Sequence, residues 1–322
     1  MSLLISVICP TLNEAQYIEK LLQFFVAAKP EDKELFIIDG NSQDRTRSIV
    51  QQWQQQYPNI HLLVNEKKYV PYALNIAIPQ CKGQYIVRLD AHTEYEADYF
   101  EQVIATFNKT GADIVGGPTR TKATDATQTA VANAICTAFG IGNSRVHQDT
   151  YEGYTDSVTF GAWRRNIFQK TGLFDTDLVR NQDDEFHYRA KSKGLKIYQS
   201  PDIKLYYYPR SSLKALFRQY FQYGLYKPLV LKKVPDEWKW RHLIPSIFTL
   251  YLPLGLSLGF LHCFFLLPLA LYLLANIYFS FMNQLPWRAK WISLLVYPII
   301  HLAYGSGFIK GLFRLAKSNS TN

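Results

Sequence analysis

The sequence predicts an α/β domain built on a parallel sheet, followed by a C-terminal region of apolar helices. Strand and helix signals alternate through residues 1–120, the pattern of a parallel sheet flanked by helices. Polar clusters end three of those strands, and in such sheets ligands gather at the carboxyl edge. Charge and hydropathy both change near residue 200. Residues 1–200 hold 21 Lys and Arg against 23 Asp and Glu, whereas residues 201–322 hold 14 against 3.

The elements follow in order. Leu4–Ile8 is a short apolar run ending at Pro10, and Ala15–Ala28 carries Ile18, Leu21, Leu22 and Phe25 at helical spacing. Glu34–Asp39 reads as the second strand, closed by Gly40-Asn41-Ser42, and Thr46–Gln56 as a helix. Ile60–Asn65 and Tyr85–Leu89 are the third and fourth strands. Residues 121–200 are turn-rich, with a helix expected across Asp184–Lys193. Ser211–Lys233 places Leu213, Leu216, Phe217, Tyr220 and Phe221 on one helical face among Lys214, Arg218 and Lys227, the pattern of a basic interfacial helix. The domains are therefore expected at residues 1–210, 211–241 and 242–322.

His242–Met282 is long enough for two spans of roughly 20 residues each, breaking near Gly259–Phe265. A weaker third stretch, Trp291–Phe308, carries Pro298, His301, Gly305 and Gly307. Lys232, Lys233, Lys239 and Arg241 put the start of the first span in the cytosol, and Arg288 and Lys290 fit an inside loop after the second. Lys310, Arg314 and Lys317 conflict with a third full crossing, so two or three crossings stay open. A basic belt beside apolar runs points to an anionic membrane surface and its lipids rather than to nucleic acid. The four scattered cysteines form no C-x-x-C pair, which suits a reducing compartment and argues against structural zinc. Met1–Pro10 lacks the basic region of a signal peptide, so the N-terminal domain is expected to face the cytoplasm from a multi-pass membrane anchor.

The chemistry concentrates in three places. Asp90-Ala91-His92 follows the fourth strand and offers one carboxylate and one imidazole, a thin cage that a diphosphate could complete around a divalent metal. Imidazole in place of a second carboxylate suits Mn²⁺, with Mg²⁺ the other candidate. Asp39 and Glu14 could clamp a nucleoside through carboxylate acceptors. The strand-one turn, Pro10-Thr11-Leu12-Asn13-Glu14, lacks the glycines of a dinucleotide fold, and there is no P-loop lysine motif. Asp44 is either a helix N-cap or a ligand. Asp183-Asp184-Glu185 supplies the third place, because crowded carboxyls raise one another's pKa and so favour a general base.

Together, Pro10–Glu14, the Asp39–Asp44 turn, Ala73-Leu74-Asn75 and Arg88-Leu89-Asp90-Ala91-His92 resemble the donor-binding half of family 2 glycosyltransferases. More narrowly, the chain is similar to membrane-associated succinoglycan-type exopolysaccharide glycosyltransferases, over roughly residues 4–230. That resemblance implies a glycosyltransferase A fold, a nucleotide-sugar donor, a divalent metal and inversion at the anomeric carbon. It implies donor contacts from Pro10, Thr11, Asn13, Glu14, Asp39, Asn41, Asn75, Arg88 and Asp90, and metal ligation by Asp90 and His92. Alignment of Gln182-Asp183-Asp184-Glu185-Phe186 with the family's Glu-Asp pair favours Asp183 as base, with Asp184 still open. The polymerising element Gln-x-x-Arg-Trp is degraded to Gln219–Tyr223, which favours transfer of a single sugar to a saccharide or lipid-linked acceptor. Arg210 and Arg218 could neutralise a diphosphate or bind lipid headgroups. Trp163 could stack on an acceptor sugar or be a buried aromatic. A polyprenyl-phosphate sugar synthase and a non-catalytic nucleotide-binding scaffold are the alternatives.

Overall fold

The computed structural model describes residues 4–142 and 145–319. Two compact units emerge, Met1–Arg120 with Arg145–Tyr207 and Thr121–Ser144 with Tyr208–Asn322. Residues 121–144 therefore join the C-terminal helices rather than the sheet that flanks them in sequence.

The first unit opens with β1 (Ile5–Thr11), α1 (Ile18–Ala27), β2 (Lys33–Asp39), α2 (Thr46–Gln56), β3 (Ile60–Val64), α3 (Val70–Ala77) and β4 (Tyr85–Arg88). β5 (Glu94–Tyr95), α4 (Tyr99–Thr110), β6 (Ile114–Gly116) and β7 (Thr119–Thr121) follow. In the second unit α5 (Ala126–Ile135) and α6 (Ala138–Ile141) come next. The first unit resumes with β8 (Gly153–Tyr154), β9 (Ala162–Arg164), α7 (Ile167–Thr171), α8 (Gln182–Ser192), β10 (Ile197–Gln199) and β11 (Leu205–Tyr207).

The main sheet runs β3-β2-β1-β4-β9-β6-β10-β8, and β5-β11-β7 form a small second sheet. β1, β2, β3 and β4 are parallel, as alternation predicts. β9 runs antiparallel between β4 and β6, so the complete sheet is mixed. Alternate strand residues feed opposite faces. Ile5, Val7 and Cys9 of β1 pack with Leu22 and Phe25 of α1 and Phe100 and Phe107 of α4. Ile8, Phe36 and Ile86 face the other way, onto Leu74 of α3 and Phe186 of α8. Each such fully buried side chain contributes about 1.5–3 kcal/mol.

Chain order reverses at β1, which lies between β2 and β4. Such a switch point opens a crevice beyond the strand ends. Thr11 lies opposite Asp39, and Ile8 opposite Arg88, so the loops after all three strands emerge together.

The second unit contains α5, α6, α9 (Leu213–Lys233), α10 (Ile244–Gly259), α11 (Leu267–Phe281) and α12 (Trp287–Asn319). Ser212 caps α9, its Oγ accepting from Ala215 N at 3.2 Å. Leu216 and Tyr220 of the expected apolar face are buried, whereas Phe217 remains 44% exposed. α9 and α12 meet backbone to backbone: a Cβ on Gly224 would lie 2.1 Å from the Tyr304 carbonyl oxygen, and one on Gly307 2.1 Å from that of Phe221. Small residues permit this approach where apolar burial gives little drive between helices. Cys263–Phe281 and Trp287–Lys317 are long and apolar enough to cross a membrane, whereas Ile244–Gly259 is shorter. The stretch expected to be the weakest thus lies within the longest helix, its small residues at close backbone packing. Leu271, Leu274 and Ile277 of α11 remain more than half exposed, an apolar face suited to lipid.

Candidate active site

Asp90 follows β4 and receives Arg88 from the same strand, with Nη2–Oδ1 at 3.1 Å and Nε–Oδ1 at 3.2 Å. The peptide N–H of Asp90 donates to the Tyr95 hydroxyl at 2.8 Å, which shapes the turn. Arg88 is buried and lies over the Phe160 ring, 5.3 Å from its centroid. Burial opposes the guanidinium charge, but the carboxylates of Asp90 and Asp183 outweigh it and hold the Arg88 pKa above its ordinary value. Arg88 is thus the electrostatic link between the Asp90 turn and the acidic start of α8.

His92 sits two residues beyond Asp90, with Nδ1 3.1 Å from Glu14 Oε1. Carboxylate pairing favours the tautomer with a proton on Nδ1, leaving the lone pair on Nε2. This is the arrangement by which a carboxylate orients a metal-ligating imidazole. Among the described residues no three His, Cys, Asp or Glu side chains gather as a metal cage. Asp90 and His92 offer two candidate ligands, fewer than an all-protein cage supplies. Glu14, expected beside a nucleoside, has one oxygen on His92.

The loops after β1 and β2 are laced together. Asn13 and Asn41 adopt left-handed backbone angles (φ 57° and 64°), which asparagine tolerates better than most residues. Asn13 Oδ1 accepts from Gln43 N at 2.8 Å, and Asn13 N donates to Ser42 Oγ at 2.9 Å. The Asn41 carbonyl accepts from the Gln43 side chain at 3.0 Å. Asp44 ties Ala15 N (3.0 Å) to Thr46 N (3.0 Å), the cap-like alternative rather than a free ligand. Beneath them Asp39 is fully buried, with Oδ2 accepting from Ser42 N at 3.1 Å. Asp39 Oδ1 and Thr11 Oγ1 are buried without hydrogen-bond partners. Pro10 is partly buried on the same strand.

The three acids of α8 separate. Glu185 is consumed by Arg189, with oxygens at 2.7 and 2.9 Å from Nε and Nη2. Asp183 Oδ1 accepts from Asp184 N at 3.0 Å. Burial pushes the Asp183 carboxyl above its ordinary pKa, Asp184 adds to the shift, and Arg88 opposes it. One turn on, His187 is buried, and desolvation lowers its pKa to about 4.

Two expected contacts are corrected. Trp163 is 1% exposed, with its ring among Phe168, Phe174 and Phe186, so it belongs to the core and offers no face to an acceptor. Asn75 uses its amide on Phe174, donating to the carbonyl (2.8 Å) and accepting from the N–H (2.9 Å). It fastens the chain before α8 rather than holding a donor. Arg210 is exposed and falls in the second unit. Sequence reasoning missed the Glu14–His92 pair, Phe160 and His187, because no local pattern announces contacts made across the fold.

The sequence model described as glycosyl transferase family 2 matches residues 6–172. The chain belongs to that family. This family 2 glycosyltransferase is 29% identical over 327 residues to the dolichyl N-acetyl-alpha-D-glucosaminyl phosphate 3-beta-D-2,3-diacetamido-2,3-dideoxy-beta-D-glucuronosyltransferase of Methanococcus voltae, with 98% of each chain covered. It is 27% identical over 311 residues to succinoglycan biosynthesis protein ExoA of Rhizobium meliloti (strain 1021), covering 95% of this chain and 94% of that one. In fold it resembles the mannosyltransferase PcManGT of Pyrobaculum calidifontis, solved with GDP-Man and Mn²⁺ (TM-score 0.59, 18% identity, 96% of this chain and 87% of that one). It also resembles S. aureus TarS 1–349 with UDP-GlcNAc (TM-score 0.54, 17% identity, 97% and 92%). The glycosyltransferase is therefore built on the glycosyltransferase A fold expected from sequence, followed by apolar helices that are candidate membrane spans.

Proposed function

We propose that this glycosyltransferase moves a single sugar, with inversion, from a nucleotide-sugar donor to a lipid-linked saccharide at the cytoplasmic face of a membrane. The carrying observation is the raised, partly buried Asp183 carboxyl facing the electrostatic field of Arg88. A base with a raised pKa takes a proton more readily, and its field links it to the turn that would hold the donor diphosphate.

Thr11 and Asp39 support the nucleoside end because they end the paired strands β1 and β2 at the switch point, where a crevice for a ligand opens. Asp90 and His92 would hold a divalent ion, Mn²⁺ or Mg²⁺, which when bound neutralises charge on the departing diphosphate. Glu14 keeps the His92 ring turned for that purpose. Asp183 takes the proton of the acceptor hydroxyl as its oxygen bonds to the anomeric carbon. The bond from that carbon to the diphosphate breaks on the opposite side, so configuration inverts. Asp184 is the neighbouring carboxylate that helps keep Asp183 basic.

The donor and metal readings draw on the GDP-Man, Mn²⁺ and UDP-GlcNAc of proteins similar in fold. The lipid-linked saccharide acceptor draws on the dolichyl N-acetyl-alpha-D-glucosaminyl phosphate named for the Methanococcus relative. The basic residues beside the apolar helices support a multi-pass anchor at anionic lipid, with the catalytic unit in the cytoplasm. The test is a panel of UDP-, GDP- and dTDP-sugars, scored for Mn²⁺-dependent thermal stabilisation and then for transfer to a polyprenyl-diphosphate sugar. Asp183→Asn should bind the same donor and transfer nothing. Full turnover by Asp183→Asn would move the base to Asp184, and silence toward every donor would overturn the reading.

A further inference from the structure

Residues 155–161 run between β8 and β9 and touch both sides of the reacting centre. At one end Ser157 Oγ lies 2.9 Å from His187 Nδ1, and Asp156 Oδ1 lies 2.7 Å from Lys191 Nζ, so the segment is tied to α8. At the other end the Gly161 carbonyl accepts from Arg88 N at 3.2 Å, and the Phe160 ring lies under the Arg88 guanidinium. Phe160 and Gly161 both take left-handed angles (φ 56° and 76°), which bring ring and carbonyl onto Arg88 within two residues.

His187 follows Asp183 by four residues and Asp184 by three, so all three share one face of α8. It is 1% exposed, and its Nε2 is buried without a hydrogen-bond partner. Leaving a buried polar atom unsatisfied is costly, so an apolar side chain would fill this place more cheaply if packing were all that mattered. Desolvation keeps the ring neutral, which adds no cation beside the acids and leaves Nδ1 committed to Ser157.

We infer that Ser157 and His187 are positioning residues: their hydrogen bond latches residues 155–161 to α8, and the latched segment fixes the base-bearing turn relative to the Arg88–Asp90 pair. The inference rests on the proposed roles of Asp183 and Asp90. It adds a second path between the base and the diphosphate anchor, a short run of backbone held by a directional hydrogen bond at each end, where the Arg88 charge alone is a soft one. Reaction rates are sensitive to displacements of this kind because attack and departure must stay in line.

The test uses the full chain in detergent with Mn²⁺. It compares wild type, Ser157→Ala, His187→Phe, the double variant and His187→Asn, whose amide can still meet Ser157. Amide hydrogen exchange needs no donor. Ser157→Ala and His187→Phe should both accelerate exchange across 155–161 and the first turn of α8, and His187→Asn should not. Release of UDP from UDP-GlcNAc or GDP from GDP-mannose gives the second readout. Each single variant should lower kcat about tenfold with donor KM within about twofold, the double variant should be no slower than His187→Phe, and His187→Asn should recover most of the rate. Unchanged exchange in α8, losses that multiply in the double variant, or an effect confined to KM would each overturn the latch. If wild type releases neither nucleotide, the functional reading is in trouble, and the exchange pattern still decides the latch.

Discussion

Replacing Arg88 with methionine tests the electrostatic centre of the site directly. The side chains of Arg88 and Asp90 are 7% and 18% exposed, so the substitution strands a largely desolvated carboxylate. Removing one partner of a buried pair costs about 3–5 kcal/mol. Partial exposure of Asp90 favours the lower end, about 3 kcal/mol, and loss of the Phe160 contact adds about 0.5–1 kcal/mol. At about 2–4 °C per kcal/mol for a domain of this size, the melting temperature should fall by roughly 7–15 °C. Thermal unfolding followed by tryptophan fluorescence in detergent measures it. The reasoning has a second arm: Arg88→Met combined with Asp90→Asn removes the stranded charge and should recover about half or more of the loss. A single variant that melts like wild type, or a double variant no more stable than the single, would refute the idea that this pair is held together by mutual neutralisation.

The remaining predictions concern separate links of the argument. Asp183 holds its proton more tightly folded than unfolded, so the folded state binds more protons and its contribution to stability falls as pH rises from the unfolded carboxyl value, near 3.9, through the raised folded one. Asp183→Asn should therefore melt higher than wild type at pH 7.5, with the gap closing below about pH 4, in pH-dependent melts. Glu14→Gln should weaken Mn²⁺ binding in the presence of donor by about 10–100-fold, read by titrating Mn²⁺ against donor-dependent stabilisation. Gly224→Ala forces a methyl group against the Tyr304 carbonyl and should cost about 1–3 kcal/mol, whereas Phe217→Ala on the exposed face of α9 should cost less.

Period and turn chemistry determined much of this protein by themselves. The spacing of Ile18, Leu21, Leu22 and Phe25 announced a helix whose buried face is those four residues. The polar ends of β1, β2 and β4 were legible because parallel strands put their carboxyl ends on one edge. Tertiary structure decided what sequence spacing cannot carry. It separated three adjacent acids by giving Glu185 to Arg189 four residues on, and by desolvating Asp183 near Arg88, ninety-five positions away. It withdrew Trp163 and Asn75 from the site, because an indole reads the same whether it stacks on a sugar or fills a core, and an amide the same whether it binds a donor or Phe174. It turned Trp287–Asn319 into one long helix, since Gly305 and Gly307 appear as interruptions until backbone meets backbone. Local periodicity fixes which face is apolar, but only packing decides what each face meets.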